Sequence, residues 1–222
     1  MTPRGRWVAL AALIVVLGCT IWTAGGRDSV PVTGAQRLGP EAGEPVADYL
    51  RRAAVSLPAG GSPGWALVQL ADYLTPESAA ELVRGVRLAK VVLRVPLPRV
   101  QTALITRDLP GQRPAAELTG ALRSAAADRL AASRAAPGRP AAIAAAEATR
   151  LGEGCACVAA MLVRGDPGAL RALAARPGVR AVHAALPDTA VRDLAISPLL
   201  PEQAIVAGPV PDDGPVPPPA LE

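Results

Sequence analysis

Gly-Val-Arg occurs twice in this chain, at residues 85–87 and 178–180. Each time it follows an apolar helical stripe and opens a run rich in β-branched or small apolar residues. The parallel extends backwards from both motifs. "WALVQL", Trp65–Leu70, reads as a strand. In "TPESAAELV", Thr75 is placed to cap a helix and Pro76 fits its first position, while Ala79, Leu82 and Val83 share one stripe. "GVRLAKVVLRV" then reads as a second strand. In the later half "CACVAAMLV", Cys155–Val163, is the strand, and Asp166 and Pro167 open the helix. Leu170, Leu173 and Ala174 form its stripe, Pro177 and Gly178 stop it, and "VRAVHAAL" closes the unit.

The helix starts at Thr75 and Asp166 are 91 residues apart and the two motifs 93. A single two-residue length difference reconciles them. Each β-α-β unit carries an apolar helix face that it cannot bury alone. Two units together make a four-stranded antiparallel sheet with both helices on one side. The expected fold class is therefore α+β, with a ferredoxin-like split βαβ domain over residues 65–187. The glycine of each motif is expected to take the left-handed conformation that ends a helix.

The halves are separated by an insertion, residues 97–154. Pro96 and Pro98 end regular pairing, Pro114–Ala136 is an Ala/Leu/Arg helix, and "PGRP" at 137–140 breaks it before a shorter helix. The two helices are expected to form a hairpin beside the sheet or one kinked arm. Residues 27–64 read as a linker holding one short helix, with Val46, Tyr49, Leu50 and Ala53 on a stripe. Residues 188–222 read as a C-terminal segment in which "LAISPLLPEQAIVAG" is expected to pack on the domain and the Pro-rich acidic tail "PVPDDGPVPPPALE" to lack a fixed structure.

Upstream of the linker, residues 1–26 hold a cytoplasmic tip and an anchor. Trp7–Ala24 runs for 18 residues without a charge. As a helix it would extend about 27 Å, close to the ~30 Å of a hydrocarbon core. Trp7 and Trp22 stand near its ends, and Arg4 and Arg6 precede it. The positive-inside bias puts the N-terminus in the cytoplasm and the bulk of the chain outside. A cleaved signal peptide fits less well, because the run is long and "TAGG" is a poor cleavage site. "VLGC" resembles a lipobox ending in Cys19, so the alternative is an envelope lipoprotein, lipidated at Cys19, that binds a small ligand or metal. An extracytoplasmic location argues against a nucleic-acid partner.

Charge is uneven. From residue 188 onward six acids face Arg192 alone, whereas residues 27–187 carry a net charge of +7. Lys90 is the only lysine among 23 basic residues, so arginine usage reflects composition rather than chemistry.

Few constellations point to catalysis, and no catalytic or cofactor-binding residue is assigned. His183 is the only histidine. In the usual 4-1-3-2 strand order one strand separates it from Cys155 and Cys157, by about 10 Å, too far for shared metal ligation. The two cysteines read as small buried hydrophobes, because a regular strand gives them no approach to each other. No serine stands in a nucleophile-elbow context, and no glycine-rich phosphate loop follows a strand.

One feature points to binding. On "RLAKVVLRV", Lys90 and Arg94 share a face with Val92, while Ala89, Val91, Leu93 and Val95 share the other. The apolar face suits the helices. The basic face would lie on the open side of the sheet, where it is expected to dock a partner or anionic head groups, unless the C-terminal segment covers it.

With its anchor, linker and domain in this order, the chain resembles the single-pass membrane-anchored proteins of high-GC bacteria. The resemblance covers most of its length, brings no functional motif and implies no activity. The expected function is that of a membrane-anchored, extracytoplasmic, non-enzymatic interaction module of the cell envelope. Its expected partner is an envelope protein or an anionic envelope component.

Overall fold

The computed structural model describes residues 36–217. The run Trp7–Ala24 and Cys19 lie outside the described residues. Among the described residues, no helix is long and apolar enough to cross a membrane.

The described chain is a mixed α+β structure around an antiparallel sheet. The strands are β1 (Gln36–Leu38), β2 (Gly64–Leu74), β3 (Arg87–Leu93), β4 (Ile105–Asp108), β5 (Val158–Gly165), β6 (Val179–Ala184) and β7 (Leu194–Ile196). The helices are α1 (Val46–Ser56), α2 (Pro76–Leu82), α3 (Pro114–Ala135), α4 (Gly138–Gly152) and α5 (Pro167–Ala174).

The main sheet has the order β4-β3-β5-β2-β6, and all its neighbours run antiparallel. β2-α2-β3 and β5-α5-β6 are its two repeats. Gly85 and Gly178, the glycines of the repeated motif, have φ of 93° and 85°. Both chains thus leave their helix through a conformation that costs a β-carbon residue energy. The helix starts differ. Thr75 accepts from Ser78 N–H at 3.3 Å, whereas the Asp166 side chain makes no capping bond, contrary to its expected role.

One sheet face is covered by four helices. Ala79 and Val83 from the α2 region, Leu118 and Leu122 of α3, Ile143 and Leu151 of α4, and Leu170 and Leu173 of α5 join a single cluster. From the sheet it takes Val68, Leu93, Met161 and Val182. The insertion is a helical hairpin, α3 packed on α4, that completes this layer. An irregularity between Leu88 and Lys90 turns Leu88 onto the helix face as well, which the regular alternation of the strand did not anticipate.

The other face is not open, and the expectations for both flanking segments are corrected with it. Residues 36–56 are no linker: β1 pairs in parallel with β7, and α1 packs on β6. Leu38 of β1 joins Leu67, Val92, Ala160 and Leu162 of the sheet, with Leu194 and Ile196 of β7 packed against them. The C-terminal segment is fixed as far as residue 217. Arg99 pairs with Asp213 and Arg139 with Asp212, and Val216 packs on the main core. The tail is acidic, and basic side chains of the insertion region hold it.

The cysteines are also corrected. Cys155 and Cys157 form a disulfide, with Cα atoms 5.3 Å apart. β5 begins only at Val158, after a turn in which Gly154 has φ of 79°. In that turn the backbone is free of strand alternation, so the two side chains meet.

Candidate docking site

Arg94 was expected on an open, basic surface. It follows β3 on the predicted face but is only 3 % exposed. Its guanidinium donates to Tyr73 Oη at 2.6 Å, to Val100 O at 3.3 Å and to the Glu202 carboxylate. Tyr73 in turn donates to Glu202 at 2.9 Å. Burial raises the Tyr73 pKa well above its usual value, so the phenol stays a donor at neutral pH. Lys90 pairs with Asp108 across β3–β4. The structure therefore does not bring Lys90 and Arg94 together as free cations. The desolvation of a guanidinium is offset by three internal acceptors.

The segment covering Arg94 is itself pinned. Arg180 of β6 donates to the carbonyls of Leu200, Pro201 and Gln203, and burial lowers its pKa. Gln203 accepts from Leu200 N–H and donates to Gly208 O, which closes residues 200–208 into a compact loop. On one side of this loop lies a cavity of about 880 Å³, lined by Tyr73, Pro98, Pro201, Ile205 and Pro211 among others. On the other lies one of about 330 Å³ that includes Arg37, Gln101 and Leu104. Arg94 lines both. Ile205 is 81 % exposed and Leu104 is 52 % exposed, so both rims present apolar surface.

A second buried polar group sits beneath α1. Tyr49 is fully buried and accepts from Gln69 Nε2 at 2.9 Å. Gln69 Oε1 accepts from Leu199 N–H at 2.9 Å. His183, 5 % exposed, accepts at Nδ1 from Gly39 N–H at 3.0 Å. Burial lowers the His183 pKa to about 4, with the nearby Arg52 charge acting in the same direction. Burial pushes Tyr49 up to about 12. The ring of His183 is therefore neutral and serves as an acceptor that holds β1. Glu147 is committed in the same way: it accepts from Ala103 N–H at 2.6 Å and pairs with Arg129.

Comparison of the chain with protein-family models, with curated proteins and with solved structures finds no match.

The described surface also holds a basic feature that the sequence reading missed. Arg87 of β3 and Arg164 of β5 are cross-strand partners, and Arg164 lies opposite Trp65 of β2. The Arg164 guanidinium carbon is 5.7 Å from the centroid of the Trp65 ring. Each residue lies in a strand region recognisable from sequence or one residue beyond it. Their register across three strands was not.

Proposed function

We propose that this chain is a membrane-anchored, extracytoplasmic, non-enzymatic interaction module of the bacterial cell envelope, with its N-terminus in the cytoplasm. Its domain is read as a ferredoxin-like split βαβ with a helical insertion. Support for that fold comes from the strand order β3-β5-β2-β6 and from the two crossovers that end in glycines of positive φ.

The observation that carries the location is the Cys155–Cys157 bond, because disulfides persist in oxidising compartments outside the cytoplasm. It agrees with the uncharged run Trp7–Ala24 and the arginines before it. The interior supports a binding role. Arg94, Glu147 and His183 are each engaged by internal partners that fix structure, and apolar side chains line the exposed rims beside Arg94. The partner is an envelope protein or an anionic envelope component.

The test is a fusion of a reporter enzyme, active only outside the cytoplasm, after Glu222. Activity is expected. Activity from a cytoplasm-only reporter at the same junction would overturn the topology and the envelope reading together. Mass spectrometry of the N-terminal region separates the alternative: a diacylglyceryl mass on Cys19 would make the chain a lipoprotein.

A further inference from the structure

Across one end of the sheet a row of side chains shares one face. Arg87 lies opposite Arg164, Arg164 opposite Trp65, and Ala185 N–H bonds to Trp65 O at 2.8 Å. Trp65 and Ala185 pack at the margin of the apolar layer formed by Leu67, Val92 and Leu162. Arg87 and Arg164 are exposed.

Like charges directly opposite each other in an antiparallel pair are unfavourable. Arg87 and Arg164 meet no carboxylate among the described residues, and unlike other arginines without one, such as Arg37 and Arg123, they face each other across adjacent strands. Stacking on the Trp65 ring accounts for Arg164, but no internal group neutralises the pair. An anionic partner would, because guanidinium forks match phosphate geometry.

The same end exposes apolar side chains. Leu186, 67 % exposed, follows Ala185. Val55, 86 % exposed, precedes Ser56, whose hydroxyl accepts from Ala184 N–H at 2.8 Å. The side chain of Gln36, the first described residue, accepts from Leu186 N–H at 2.9 Å and from the Thr189 hydroxyl at 3.2 Å. The chain therefore enters the domain at this end. Eleven residues separate Ala24 from Gln36. A stretch of that length reaches at most about 40 Å. Asp166 precedes α5, Asp188 lies in the turn after Ala185, and Asp193 lies 3.8 Å from Arg192.

We propose that the end of the domain formed by Arg87, Arg164, Trp65 and Leu186 docks on the anionic phospholipid surface of the membrane to which the chain is tethered. The inference rests on the anchored reading above. The arginines pair with lipid phosphates, Trp65 occupies the interface, and Leu186 and Val55 enter the acyl boundary.

The test uses the full chain in nanodiscs of phosphatidylcholine alone or mixed in equal parts with phosphatidylglycerol. Hydrogen exchange is read at residues 183–189 and 64–66. Exchange is expected to slow in the anionic discs only. Arg87→Gln with Arg164→Gln should weaken docking about twenty-five-fold, at about fivefold for each arginine near an anionic surface. Leu186→Ser should weaken it while leaving the melting temperature unchanged, and it serves as the second variant if the double change perturbs the sheet. Retention through an alkaline carbonate wash reports the anchor separately. A chain that is washed off refutes the anchored reading and the inference built on it. A retained chain with equal exchange in both discs overturns the docking surface alone. Slowing by soluble polyphosphate in neutral discs, equal to that in anionic discs, would assign the arginines to an anionic polymer and overturn the lipid proposal.

Discussion

Arg94 and Arg99 both pair with acids of the C-terminal segment, yet the two pairs differ in environment. Arg94 is 3 % exposed, whereas the Arg99 side chain is 61 % exposed. Removing Glu202 leaves a buried guanidinium with only Tyr73 and Val100 as acceptors. Glu202→Ala is expected to cost about 2 kcal/mol, less than the ~3–5 of a fully buried pair, because Glu202 itself is partly solvated. Arg99→Ala, on a solvated pair, should leave the urea midpoint unchanged. Equal midpoints for the two variants would show that the Arg94 site is not a structural node. His183 gives a pH signature. Its folded pKa of about 4 lies below the unfolded value near 6.5, so the unfolded state binds more protons in between. Stability is full above pH 6.5 and falls as pH drops towards 4, by about 3 kcal/mol from this group. Melting of the parent and His183→Gln across this window checks it: the parent should carry the extra slope, and parallel profiles would contradict it. At this scale the sequence placed Lys90, Val92 and Arg94 on one face correctly. It had no means to supply the cover, because Glu202 lies 108 residues from Arg94.

Among the elements, β1 and β7 are the shortest and depend most on their surroundings. Each has three residues, and together they close the second sheet face. Their junction needs Gly39. It has φ of 123°, and a Cβ there would fall 1.7 Å from Ser197 O. Gly39→Ala is therefore expected to displace β1 from β7 and break the Gly39–His183 bond. The amides of residues 36–39 and 194–197 should then exchange faster than those of β5. Unchanged protection at these amides would show that the layer does not rest on this approach. Sequence patterns made α2, α5 and the hairpin legible, because a 3.6-residue stripe and a proline start are local signals. They could not reveal β1 or β7. A three-residue strand has no period to detect, and its partner lies at the far end of the chain. The same limit hides the disulfide: "CAC" reads as strand, but Gly154 turns the backbone before β5 begins.

In the whole molecule, the repeat accounts for the middle of the chain and for one of its two layers. The second layer comes from the segments on either side of the repeat, of which the first reads as a linker with one short helix and the second as a segment packing on the domain before an acidic tail. Residues 36–56 and 194–217 are no richer in apolar residues than the rest of the chain, but Leu38, Tyr49, Leu199 and Val216 lie where the sheet and its helices are otherwise bare. Burial by a few well-placed side chains leaves no compositional trace. The basic row of Arg87 and Arg164 was likewise invisible, because its meaning depends on register rather than on residue spacing along one strand.

The pairing of Gln36 with Leu194 has a consequence for how the molecule is made. A chain that emerges N-terminus first presents β1 long before its partner exists. Leu67, Val92 and Leu162 then stay wet on one side until β7 arrives. Chains terminated before Leu194 would keep this sticky flank and be open to proteolysis, so the segment that carries β7 completes the fold late in synthesis.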